Sequence, residues 1–406
     1  MEKNRVLPVS HALVFLLVNL GVGLANPVLS LLLLARGATL ETLPLAIGVT
    51  LVITVACEVP SGIAADVLGR RRVFVCSMAL QVATYAVLLA GPSPVAVAVS
   101  GVLRGLALAA RTGTLEAIEL DRVVAEHPDA AERLAALDAL NGRFALLESA
   151  GVGAGALAGG ALAAFDPSYT LLILCVMGVG AAALVGGLAL FPADARGEGS
   201  ARGRLRGVLA EMRSAIARPG DVRTVLVASA SAGVVMLMVE TYWQLAFEGF
   251  VGPEGAWLLG FVNCAGMVAA AVGSAAAMRW GSEASARLGA GGRRALYLAL
   301  QGAAIVCLAL FSAAGSAVAF VVVYAALYVA LGARSVVEQT VLHNAVPSEE
   351  RSGMASVQSI ALRAGGMAAT AVSGPVVGAF ALAGAWPVLA ALAAGIAALG
   401  FRRRRA

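Results

Sequence analysis

Glu58, Arg104 and Glu240 each stand inside a long apolar stretch of this 406-residue chain. An ionisable group in such a place is costly to keep and marks binding, proton movement or gating. Glu58 lies within Glu58-Val-Pro60-Ser-Gly62, and Glu240 is followed closely by Tyr242, Trp243 and Gln244. A carboxyl group in a low-dielectric setting can exchange a proton near neutral pH. Arg104 does not release its proton, so it needs water or a carboxylate beside it. Asn19, Asn263, Tyr324 and Tyr328 add polar and aromatic groups within apolar runs, and the two tyrosines, four apart, share one helical face. Together these residues could hold a small molecule and pass a proton. Other chemistry is poorly served. The three histidines, His11, His127 and His343, are dispersed, and Cys57, Cys76, Cys175, Cys264 and Cys307 stand singly without a CxxC pair. With no nucleophile–base arrangement and no phosphate-cradling glycine loop, we expect neither an enzyme nor a cofactor or metal site.

The elements that must position these groups follow from composition. The chain is 60% apolar and 13% charged, against roughly 45–50% and about 25% in a soluble domain, and its mean hydropathy is +0.88. At about 34 residues per span and connection, the length allows about twelve membrane helices. Apolar runs fall at 11–34, 42–65, 73–91, 94–117, 144–164, 168–192, 223–247, 255–279, 293–313, 316–340, 353–381 and 386–401. Lipid offers the backbone no hydrogen-bond partner, and the runs are too long for barrel strands, so they read as helices. The first run continues through Leu31 to Leu34, well past a signal-peptide core, and reads as a retained span.

The net charge of +5 could point to nucleic acid, but the arginines lie between the runs. Alternate connections carry them: Arg70 to Arg72, Arg122 and Arg133, the group from Arg196 to Arg218, Arg279 to Arg294, Arg351, and Arg402 to Arg405. The opposite connections hold only Arg36. This asymmetry places both termini in the cytoplasm. The Ala- and Gly-rich, arginine-rich composition further points to a bacterial chain in the inner (plasma) membrane.

A polar stretch, 193–222, divides the chain into an N-terminal six-helix half, 1–192, and a C-terminal one, 223–406. Three correspondences share one offset of 223 positions: Gly69-Arg70-Arg71 with Gly292-Arg293-Arg294 (292 − 69), Arg111 with Arg334 (334 − 111), and Gly151 and Gly155 with Gly374 and Gly378 (374 − 151). One offset serving three helices marks parallel repeats.

After the second run stands Gly62-Ile-Ala-Ala-Asp66-Val-Leu-Gly69-Arg70-Arg71-Arg72. Gly62 would let two helices approach closely, Asp66 is a charge at the membrane rim, and Gly69 turns the chain. With this signature the chain resembles the major facilitator superfamily of secondary transporters. The resemblance implies an all-α membrane protein of two six-helix pseudo-repeats and a conformational gating role for Gly62, Asp66, Gly69, Arg70 and Arg71. The fifth run, with Gly151, Gly155, Gly159 and Gly160, resembles the antiporter motif of that superfamily, with Ala156 in place of its proline. Small residues at four-residue spacing also let helices pack tightly in lipid. Arg104 falls where drug:proton antiporters of this kind often carry an arginine. Glu116, Glu119 and Asp121 at the end of the fourth run, and Glu338 and His343 at the end of the tenth, read as solvated or tied to the motif arginines.

The expectation is therefore a monomeric, proton-coupled exporter of small amphipathic or lipophilic compounds, its partners being that small molecule, protons and the bilayer. Uptake of a polar metabolite is the nearest alternative, and a membrane-embedded sensor or enzyme on the same fold is a third.

Overall fold

The protein, described here in a computed structural model over residues 7–192, 221–289, 291–345 and 351–400, is helical throughout these residues and has no strand among them. Most of the expected linker, 193–220, and the arginines at 402–405 lie outside the described residues.

The helices are α1 (Val9–Ala25), α2 (Leu29–Ala35), α3 (Leu43–Leu68), α4 (Arg70–Leu89), α5 (Pro94–Arg111), α6 (Leu115–Glu126), α7 (Ala130–Phe165), α8 (Thr170–Leu190), α9 (Asp221–Val251), α10 (Leu258–Arg287), α11 (Gly292–Leu310), α12 (Ala317–Ala345) and α13 (Arg351–Leu399). Eleven stretches are long and apolar enough to cross a membrane. The last of these, Val357–Leu399, has 43 residues and would run for about 65 Å, twice the hydrocarbon thickness. It breaks at Ala381, where φ is 54° and ψ 174°. The two final runs of the sequence are thus joined by a reversal at one residue and not by a polar connection.

Local sequence sets the boundaries. Pro27 interrupts the first span with a 3-10 turn at Asn26–Val28, since proline withholds its N–H from the helix. Gly69 separates α3 from α4 with φ at 100°, a conformation that favours glycine. The fourth run ends at Arg111, and Gly113, with φ at 69°, starts a separate helix, α6. Glu116, Glu119 and Asp121 accordingly belong to α6 and not to the end of a span. Asp129 caps α7 by accepting from Ala131 N and Glu132 N at 2.9 and 3.0 Å, so α7 begins 14 residues before the apolar run it contains.

The chain divides into two compact units. Unit 1 comprises residues 1–38, 49–201 and 253–261, and unit 2 comprises 39–48, 202–252 and 262–406. The contiguous halves expected from the sequence therefore each give up a short segment. In unit 1, α1 packs against α7 and α8, and α4 lies between α5 and α8. In unit 2, α9 packs against α13, and α11 against α12. Hydroxyl groups bind α3 to α5: Thr50, Thr54 and Ser61 donate to the carbonyls of Gly101, Gly105 and Ala109 at 3.1, 3.3 and 2.8 Å.

Candidate functional site

Unit 2 gathers several of the residues singled out by type. Glu240 on α9 accepts a hydrogen bond from the Tyr328 hydroxyl on α12. The Tyr328 ring lies 4.6 Å from that of Tyr324, which in turn lies 5.1 Å from Trp243. Helical spacing explains the grouping, since Tyr324 and Tyr328 on one face of α12 meet Glu240 and Trp243 on α9. Trp243 and Tyr324 are fully buried and build the wall, whereas Glu240 and Tyr328 remain partly exposed. A carboxylate held by a phenol and backed by aromatic rings can take a cationic or hydrogen-bonding group and can hold a proton. Gly266 on α10 lets that helix approach, because a Cβ there would meet the Tyr324 ring at 2.7 Å. Asn263, one turn earlier, is buried, and its Oδ1 has no hydrogen-bond partner among the described residues. Tyr242 is turned away: it donates to the Leu40 carbonyl at 2.9 Å and serves packing. Gln244 is likewise buried.

In unit 1 the polar groups line cavities. Arg104 borders one of about 50 Å³ together with Gly21, Gln81, Thr84, Tyr85 and Arg111. That volume has room for ordered water, and Arg104 makes no ion pair among the described residues. A second cavity, of about 220 Å³, is lined by Asn19, Arg111, Glu116 and Glu148, with Phe15, Phe74 and Phe144 below them. Asn19 spends its Nδ2 on the Phe15 carbonyl at 2.9 Å. Glu58 is half-buried on α3, one turn ahead of the Ser61 hydroxyl that anchors this helix to α5.

The arginines of the gating motif are tethers. Arg70 pairs with Asp121 and donates to the Ala117 carbonyl at 2.8 Å, both on α6. Arg71 donates to Gly187 O at 3.2 Å and to Leu188 O, at the end of α8. Asp66 is half-buried at the last turn of α3. Gly62 is exposed, and a Cβ there would meet nothing within 4 Å among the described residues.

The glycines of α7 are packing positions. A Cβ on Gly151 would meet Asn19 at 2.8 Å, one on Gly155 would strike the Leu20 carbonyl, and one on Gly159 the Leu24 carbonyl. Three positions at four-residue spacing thus press α7 onto α1. Gly160 faces the other way, toward the Trp257 carbonyl and Gly260 N, each 2.8 Å from a Cβ built there.

Two groups read from sequence as solvated or tied to the motif arginines are instead buried and paired with other residues. Glu119 has no exposed side-chain surface: its oxygens lie 2.5 Å from His11 Nδ1 and 2.8 Å from an Arg122 nitrogen. Glu338 is 3% exposed, and one of its oxygens accepts from Tyr297 at 2.9 Å, Arg334 at 3.0 Å, Gln358 at 3.2 Å and Ser229. Four helices of unit 2 meet at that oxygen. Glu148 was passed over because it sits inside an apolar run without polar neighbours of the same face nearby in sequence. The signal available was its separation of 29 residues from Glu119 and of 37 from Arg111 on neighbouring spans, which contiguous reading does not weigh.

The family model described as Major Facilitator Superfamily matches residues 12–370. The chain is similar to the solved structure of a nucleoside transporter, NupG, with a TM-score of 0.75 and 11% identity, covering 97% of this chain and 98% of that one. It is also similar to a bacterial homologue of the iron transporter ferroportin, at TM-score 0.68 and 18% identity over 97% and 98% of the two chains. A bacterial homologue of the human lysosomal transporter Spinster gives 0.69 and 14% over 97% and 95%. No curated protein matches the chain in sequence. At these identities the likeness is one of fold.

Proposed function

The chain belongs to the major facilitator superfamily, and from that premise we propose that it exports small amphipathic or lipophilic compounds in exchange for protons. Membership makes it a multi-pass membrane transporter of a small molecule. In the proposed cycle two states alternate around a site near the bilayer midplane, in the plasma membrane of a bacterium, with both termini in the cytoplasm and one chain sufficient.

The observation that carries the reading is the Glu240–Tyr328 hydrogen bond with Tyr324 and Trp243 behind it. An embedded carboxylate beside a phenol and aromatic rings suits an amphipathic substrate better than a heavily hydroxylated one. Glu240 is assigned to substrate contact, Glu58 to proton exchange and Arg104 to fixing the charge balance between them. Asp66, Arg70 and Arg71 are assigned to gating, through their position at the α3–α4 turn.

A second reading, movement of a polar metabolite, draws on one observation: Arg104 and Arg111 line the same cavity of unit 1 with Gln81, Thr84 and Tyr85. Substrate-dependent proton flux in reconstituted vesicles separates the two. Amphipathic compounds, screened as cationic, neutral and anionic sets, should move protons in the wild type. Glu58→Gln should abolish uphill accumulation under a pH gradient while leaving downhill exchange measurable. Uphill transport by Glu58→Gln, or proton flux evoked by polar metabolites alone, overturns the proposal.

A further inference from the structure

The repeat offset places Arg111 of α5 and Arg334 of α12 at the same position of the two units. In unit 2 that arginine is paired: its Nη2 donates to Glu338 and to the Tyr297 hydroxyl, each at 3.0 Å, and it lies over the Tyr297 ring at 5.2 Å, while its buried Nε has no partner among the described residues. The same offset (338 − 223 and 297 − 223) aligns Leu115 with Glu338 and Phe74 with Tyr297, and where Arg334 and Glu338 share one continuous helix, α5 stops at Arg111. Unit 1 has therefore kept the arginine and lost the acceptors that satisfy it. No hydrogen bond to the Arg111 guanidinium occurs among the described residues, and Arg111 lines the cavity of about 220 Å³.

The lining of this cavity is chemically specific. Arg111 supplies a planar cation that binds carboxylates bidentately. Glu116 of α6 and Glu148 of α7 are exposed on the same cavity and lie within electrostatic reach of Arg111. Its floor is apolar: the Phe15 and Phe144 rings stack at 4.6 Å, and Phe74 is fully buried beside them. A simple anion would be opposed by two carboxylates, and a simple amine would leave the arginine without an acceptor. The volume is below the roughly 300–1,000 Å³ of drug-sized pockets, which restricts the ligand to the size of an amino acid.

We propose that this cavity in unit 1 binds a small zwitterion with an apolar body, its carboxylate on Arg111 in the place that Glu338 takes on Arg334, its ammonium between Glu116 and Glu148, and its body on the three phenylalanines. The proposal adds to the transport reading without resting on it, since binding is read at equilibrium in micelles and needs no proton gradient.

The test uses the full-length purified protein and three probes of one shape: L-phenylalanine, phenethylamine, which lacks the carboxylate, and 3-phenylpropionate, which lacks the amine. Calorimetric titration should show saturable binding of L-phenylalanine, with each one-charge analogue at least about tenfold weaker, as expected when a charged group of the site is left without its partner. Arg111→Gln should reduce L-phenylalanine to the affinity of phenethylamine. Glu148→Gln guards against a folding defect in that variant, because Glu148 lines the cavity at an exposed position. It should weaken L-phenylalanine binding severalfold while leaving the unfolding temperature unchanged. Equal affinity for L-phenylalanine and phenethylamine, no saturation by L-phenylalanine below about 10 mM, or unchanged binding in Glu148→Gln overturns the proposal.

Discussion

Arg334 in unit 2 and Arg111 in unit 1 are one repeat position with two fates. Around Arg334, side chains from four helices converge, and Glu338, at 3% exposure, accepts four hydrogen bonds on a single oxygen. Around Arg111 the equivalents of Glu338 and Tyr297 are Leu115 and Phe74, and a cavity lies where the network would be. The lesson is that an embedded charge takes its role from its neighbours. An arginine paired with a buried carboxylate fixes the packing of its helices, whereas one whose guanidinium makes no hydrogen bond among the described residues is available to a ligand.

The largest effect expected from this contrast comes from giving unit 2 the residue of unit 1. Glu338→Leu leaves Arg334 buried without a counter-charge and removes the acceptor of Tyr297, Ser229 and Gln358. Breaking a buried ion pair from one side costs about 3–5 kcal/mol, and the loss should appear as a steep fall in the unfolding temperature of the purified protein. A change below about 1 kcal/mol, the scale of an exposed pair, would mean that the network is not structural and that the contrast between the units is only apparent.

A smaller effect sharpens the comparison at a second repeat position. Gly155 on α7 and Gly378 on α13 correspond by the same offset, yet they meet different neighbours. A Cβ at Gly155 would run into the Leu20 carbonyl of α1, while one at Gly378 would first meet the end of the Glu41 side chain at 2.7 Å. A backbone carbonyl held in a helix cannot yield, but an exposed carboxylate can swing aside. Gly155→Ala should therefore cost about 1–3 kcal/mol by overpacking. Gly378→Ala should cost less than about 0.5 kcal/mol, because the helix gains from alanine what the displaced carboxylate loses. Thermal unfolding of the two variants side by side checks this, and equal losses would show that the units pack these helices alike.

The sequence made legible whatever depends on contiguous residues. The spans, the charge asymmetry and the repeat offset are patterns of hydropathy and type along the chain, and Arg111 was paired with Arg334 on that basis alone. The grouping of Glu240 with Tyr328 was within reach only in part: four-residue spacing put Tyr324 and Tyr328 on one face, but nothing in the text said which helix that face meets. Glu119 and Glu338 were misread because a carboxylate at the end of an apolar run looks solvated until the opposing His11 or Tyr297 is known. Gly62 shows the reverse limit, since a glycine announces permission for close approach and not which helix makes it. Glu148 escaped altogether, for Arg111, with which it lines one cavity, stands 37 positions away on another helix. Burial and pairing depend on which faces meet, and that information is spread over several helices at once.

The smallest effect concerns the connection that follows α7, where the units again differ. In unit 1 the chain turns through Asp166 to Tyr169. Asp166 there accepts from Leu171 N at 2.7 Å, from Ser168 N at 3.0 Å and from the Ser168 hydroxyl at 2.5 Å. In unit 2 the matching reversal at Ala381 lies within α13. The hydrogen bond from Leu171 N, followed by that from the Ser168 hydroxyl, holds the Asp166 carboxyl below its ordinary value of 3.8. A depressed folded-state value means that the carboxylate stabilises the turn above the ordinary value and that this contribution is lost as pH falls through the folded one. Amide exchange at Leu171 should therefore be slower in the wild type than in Asp166→Asn at pH 5 and above, using about 3.9 as the unfolded reference, and the two should converge in more acid solution. The residues flanking Ala381 should show no such convergence. A difference at Leu171 that persists unchanged down to the most acid pH at which the fold survives would assign the stiffness of this turn to the shape of residue 166 and not to its charge, and would remove pH as a means of loosening unit 1 alone.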